Sequence, residues 1–80
     1  MPGIPRGVVL NRAFAADRWL TANLGISVKE ASGEHLTLFL ETLTPQERET
    51  TWDALCAYGD DLVRKGIAER NPARTIRLPA

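Results

Sequence analysis

Thr44-Pro45-Gln46-Glu47 at one end and Arg64-Lys65-Gly66-Ile67 at the other bracket the stretch that decides the fold. The first four residues have the pattern of a capping box. The Thr44 hydroxyl can accept from the Glu47 N–H, and the Glu47 carboxylate can reach back to the Thr44 N–H. Pro45 falls at the first helical position, where a missing N–H removes nothing. At the far end Arg64 and Lys65 are cations suited to a helix C-terminus, and Gly66 can take the left-handed position that closes one. Ile67 is then placed to fold back onto Leu62. Between the ends Trp52, Leu55, Cys56, Gly59, Leu62 and Val63 keep helical spacing in a stripe roughly 120° wide. At about 1.5 Å per residue such a helix is on the order of 30 Å long, enough to span a small domain.

Working outward, residues 1–6 hold Pro2, Gly3 and Pro5 and read as an irregular arm. The spacing predicts a helix near residues 8–24. Val9, Ala13, Ala16, Leu20 and Leu24 form one line with Leu10 and Phe14 beside it, and Gly25 is the natural stop. Trp19 lies off that line, at the edge of the core or as an exposed contact. Residues 26–43 have two readings. Leu36, Phe39, Leu40 and Leu43 recur at helical spacing after Ser32, whereas Ile26, Val28, Leu36, Leu38 and Leu40 alternate as a hairpin would. The helical register uses more of the apolar residues and is favoured, giving a helix near 33–43 ahead of one near 45–65. Beyond Gly66 the alternation in Thr75-Ile76-Arg77-Leu78, after the turn signal Asn71-Pro72-Ala73, predicts a two-stranded hairpin near 67–78. The expected fold is mainly α, with three helices and a C-terminal hairpin in a single domain over residues 7–80.

The chain has 80 residues, ten of them Lys or Arg and ten Asp or Glu, so bulk charge does not mark a nucleic-acid binder. The charge is unevenly placed. Glu30, Glu34, Glu41, Glu47, Glu49, Asp53, Asp60 and Asp61 make the middle acidic, and Arg64, Lys65, Arg70, Arg74 and Arg77 make the end basic. One cysteine, Cys56, allows no internal disulfide, and its place in the apolar stripe reads as a small buried thiol. His35 is the only histidine and has no Cys, His or carboxylate pair at ligand spacing, so no metal or cofactor is expected. No nucleophile–base pattern or phosphate loop stands out, and an enzyme is not expected. The N-terminus lacks an apolar leader and no run reaches membrane-spanning length, so a cytoplasmic location without membrane contact is the expectation.

Gly59 interrupts the stripe at a cost of about 1 kcal/mol relative to alanine, which predicts close approach by another element. The first helix or a second copy of the chain would supply it; Tyr58 and Trp52 are aromatics of the type that anchors such a face, although Trp52 reads first as a core residue. Asp60–Arg64 and Asp61–Lys65 are at the spacing of helical ion pairs.

The run Leu62-Val63-Arg64-Lys65-Gly66-Ile67, a turn, and Arg74-Thr75-Ile76-Arg77-Leu78 resembles the end of winged-helix DNA-binding domains of the SOS-repressor kind. The resemblance covers about the last fifth of the chain. It implies a wing whose Arg70, Arg74 and Arg77 touch phosphate or minor groove. It also implies a recognition helix presenting Gln46, Arg48, Thr50 and Thr51. The outer face of that helix, however, carries Glu47, Glu49, Asp53, Asp60 and Asp61, the wrong sign for phosphate. Two function classes follow. The favoured one is a non-enzymatic protein-binding module, a homodimer among its forms. Asp53, Asp60, Asp61, Arg70, Arg74 and Arg77 would meet a protein partner of complementary charge. In general character, and by no particular motif, such a chain is similar to small phage or mobile-element inhibitors of larger host complexes, the anti-CRISPR proteins among them. The alternative is a winged-helix regulator that binds DNA.

Overall fold

The computed structural model describes residues 5–76, and over them the order is α1 (Arg6–Leu24), α2 (Gly33–Leu40), α3 (Pro45–Arg64) and a 3-10 helix (Pro72–Thr75). Helix α1 starts at Arg6, inside the arm expected over 1–6, of which residues 1–4 lie outside the described ones. The Pro5 carbonyl accepts the Val8 and Val9 N–H groups at 3.0 and 3.1 Å. Gly25 stops the helix at φ 68°, and the Thr21 hydroxyl donates to the Ile26 carbonyl at 3.1 Å as the chain turns away. Only a left-handed backbone makes that turn, and glycine enters it without a Cβ clash.

Residues 33–40 are helical, not a hairpin. Ser32 and His35 explain the choice: the Ser32 hydroxyl accepts from the His35 N–H at 3.3 Å, and the His35 Nδ1 accepts from the Ser32 N–H at 3.1 Å. The imidazole thus takes the place that glutamate or glutamine has in the usual capping box. Helix α2 stops at Leu40, short of the expected 43, and the carbonyls at and beyond its end find partners outside the helix. Arg48 donates to Leu40 O at 3.0 Å and to Leu43 O at 3.2 Å, and the Thr42 hydroxyl donates to Phe39 O at 2.7 Å. Helix α3 begins with the Thr44 hydroxyl accepting the Glu47 N–H and Pro45 in the first turn, but the other half of the expected capping box, Glu47 carboxylate to Thr44 N–H, does not form. It ends in a Schellman motif: Gly66 at φ 75°, its N–H on Val63 O at 3.1 Å and the Ile67 N–H on Leu62 O at 2.9 Å.

The expected C-terminal hairpin does not form over the described residues, which contain no strand; Arg77 and Leu78 of its second arm lie outside them. Asn71-Pro72 starts a helical turn. The Asn71 side chain accepts the Ala73 N–H at 3.1 Å, Pro72 follows at the first position, and the Thr75 hydroxyl donates back to Pro72 O at 2.7 Å. Ala73 and Ile76 are both buried. That is the three-residue repeat of a 3-10 turn, and it displaces the two-residue repeat of a strand.

The core gathers Ala16 and Leu20 from α1, Leu36, Phe39 and Leu40 from α2, and Leu55 and Cys56 from α3, closed by Ala31, Ala73 and Ile76. Trp19 lies at the core edge, its ring 5.8 Å from that of Phe39 and tilted by 50°. Asp17 is half-buried and accepts the Val28 N–H at 2.9 Å, which ties the α1–α2 loop to α1.

Candidate functional site

The C-terminal segment is latched onto α3 by four side chains. Asn71 lies against Gly59, where an added Cβ would come within 2.1 Å of its Oδ1. Its amide donates to Cys56 O at 2.8 Å and to Asp60 Oδ1 at 2.9 Å, while its oxygen caps the 3-10 turn. Trp52 donates through its indole N–H to Ala73 O at 2.9 Å. Arg74 forms an ion pair with Asp60. The close approach expected at Gly59 is therefore made by a loop residue of the same chain, and α1 does not supply it. The Arg74 guanidinium, and after it the Asn71 amide, hold the Asp60 carboxyl below its ordinary 3.8. Burial pushes the Cys56 thiol up, against the opposing pull of Arg74, so little reactive thiolate forms.

A depressed carboxylate stabilises the fold fully above its unfolded-state value, and that share is lost as pH falls through the lower folded-state value. Asp60→Asn keeps an acceptor for Asn71 and removes the charge opposite Arg74. Its side chain is 47% exposed, so the expected loss at neutral pH is screened to under about 1 kcal/mol. Thermal melts between about pH 6 and 2.5 should show wild type losing more stability than the variant below 3.8. Parallel curves would remove the ion pair from the account of the latch.

Beside the latch runs a trough in three adjoining depressions of about 510, 500 and 490 Å³, and Tyr58 and Lys29 line all three. Leu10 and Phe14 of α1, with Val28, wall one end. Leu62 and Ile67 continue it past the end of α3. Three of these side chains are left open to solvent: Phe14 at 62%, Ile67 at 58% and Leu10 at 39%. The Schellman hydrogen bonds at Ile67 thus form without burying its side chain. The rim is cationic. Arg6, Arg64 and Lys65 share the single Asp61 carboxylate, with Lys65 at 2.9 Å and Arg6 at 3.8 Å. Lys29 has no ion-pair partner among the described residues.

The residues singled out by sequence fall in separate places. Gly59 is buried under Asn71, Trp52 is half-buried and bonded to the 3-10 turn, and Tyr58 opens onto the trough. Asp60 and Arg74 neutralise each other within the latch, and Asp61 takes Arg64 and Lys65. Asp53 and Arg70 are exposed, and Arg77 lies outside the described residues. Among the groups of the DNA reading, Gln46 is exposed and Arg48 is occupied by carbonyls at the end of α2. Thr51 is fully buried, its hydroxyl without a hydrogen-bond partner. Lys29, Leu10, Phe14 and Ile67 were not legible as a site. The available signal was the Leu10–Phe14 pair, an i, i+4 line roughly 100° round α1 from the buried Ala13, Ala16 and Leu20.

No group of three or more His, Cys, Asp or Glu among the described residues is placed to hold a metal ion, and none of their helices is long and apolar enough to cross a membrane. Comparison with protein-family models, with curated proteins and with solved structures finds no match to this chain.

Proposed function

We propose that this protein is a small binding module that takes apolar side chains of a partner protein into the trough around Tyr58. The observation that carries the reading is the exposure of Phe14, Leu10 and Ile67 on the walls of one groove. In a chain of 80 residues, with few apolar side chains to spend on a core, three large ones left in water on one groove mark a contact surface. Tyrosine in the floor adds a rigid side chain with a polar tip, a type enriched where binding energy concentrates. The chemistry-bearing groups support a non-enzymatic role. His35 is engaged in a helix cap, and Cys56 is buried with its thiol pushed up.

The test compares tagged wild type with the double variant Leu10→Ser/Phe14→Ser as baits in a lysate of the cells that make the protein. A protein retained by wild type and lost by an equally folded variant is the expected result. Identical retained sets, read by mass spectrometry, would overturn the assignment of the trough.

A further inference from the structure

Resting on that reading, we infer that the occupant of the trough is an amphipathic helix with acidic flanks. Two features set its chemistry. The first is the charge of the rim: Arg6, Arg64 and Lys65 surround one carboxylate, Asp61, and Lys29 is unpaired at the point where the three depressions meet. Of the other carboxylates that line the trough only Asp60 is ion-paired among the described residues, and Asp17 and Glu69 lie away from the Arg6, Arg64 and Lys65 end, which keeps the excess of positive charge. Asp60 is held by Arg74, and Asp17 accepts the Val28 N–H, while Glu69 stands beside Arg70 on the far rim. Carboxylates on a partner therefore meet unmatched positive charge, whereas lysines would meet like charge.

The second feature is the backbone. Peptides that dock as an added strand pair their N–H and C=O groups with the edge of a sheet, and the described residues contain no strand to offer one. An extended segment laid over Phe14, Leu10 and Ile67 would leave its backbone groups against apolar walls. A helix satisfies its own backbone and can present side chains at i, i+4 and i+7 to such a groove. Its apolar line then covers Phe14, Leu10 and Ile67, and acidic residues beside that line reach Lys29 and Lys65.

Two labelled synthetic helices of about 20 residues, long enough to hold helical structure, test this. Both carry the same leucine stripe; one is flanked by glutamates and the other by lysines. Fluorescence anisotropy with the full chain should show the glutamate helix binding on the order of tenfold tighter at low salt, with the advantage shrinking as salt rises. Lys29→Glu should abolish that preference, and Leu10→Ser/Phe14→Ser should abolish binding of both helices. Equal or tighter binding of the lysine helix would overturn the acidic partner, and so would an unchanged preference in Lys29→Glu. Binding of neither helix would overturn the inference as a whole. Lysate capture that still depends on Leu10 and Phe14 would then leave the trough reading standing, and its loss as well would sink both.

Discussion

Gly59→Ala is expected to lower stability, although alanine is the better helix former by about 1 kcal/mol. The new methyl would lie 2.1 Å from Asn71 Oδ1 and 2.4 Å from its Cγ, so Asn71 must leave. It cannot shift slightly, because its short side chain is held by Cys56 O, Asp60 Oδ1 and the Ala73 N–H at once. Expelling it breaks those bonds and strips the acceptor from the N–H of a buried residue, Ala73. At about 1 kcal/mol per bond and 1–3 kcal/mol for an orphaned buried donor, the loss exceeds the helical gain. The expected net cost is about 2–4 kcal/mol, a fall in Tm on the order of 10–30 °C for a domain of this size. Gly59→Leu should cost more. The Trp52 emission should shift in Gly59→Ala as its indole loses Ala73 O, which reports the latch separately from the whole fold. Asn71→Ala supplies the control. With no amide to clash, Gly59→Ala in that background should be neutral or stabilising. An equal cost in both backgrounds would show that something other than Asn71 requires the glycine.

Gly59 also marks where one-dimensional reading stops. Glycine in the middle of an apolar stripe announced a close neighbour, but a residue twelve positions on, across a turn, supplies it. No periodicity links the two. Helix α3 was legible because its ends are local chemistry: Thr44, Pro45 and Gly66 act on residues three or four away. The start of α2 was equally local, yet histidine in the glutamate position hid its capping box. The tail was misread because four residues cannot separate a repeat of two from a repeat of three. Ile76 fits both, and Asn71 capping the Ala73 N–H decides for the turn. Charge misled in the same way. Asp60 stands four residues before Arg64 and reads as its partner, but the folded chain brings Arg74 to it instead. The trough was least legible of all, since which side of α1 is buried depends on where α2 and α3 lie against it.

That division of α1 gives the other large effect. Leu20→Ala is expected to cost about 3–5 kcal/mol, because Leu20 is fully buried at the centre of the core and the space it leaves cannot be refilled by neighbours on three different elements. Against a total of about 4–12 kcal/mol for a chain of this length, that is enough to leave much of the protein unfolded at growth temperatures. Leu20→Met, close in volume, should hold the loss under about 1.5 kcal/mol. Phe14→Ala, six residues earlier on the same helix, should change stability by less than about 0.5 kcal/mol, since its ring is 62% exposed and loses little contact on truncation. Denaturant titrations of the three variants read these differences directly. A mild Leu20→Ala would mean that α1 does not anchor the core through this side chain. A Phe14→Ala as damaging as Leu20→Ala would mean that the ring is packed within the fold, and the trough would lose the wall on which the proposed binding rests. With the expected pattern, α1 has two distinct sides: its Ala13–Leu20 side holds the helices together, and its Leu10–Phe14 side stays free of the core, as the proposed docking wall requires.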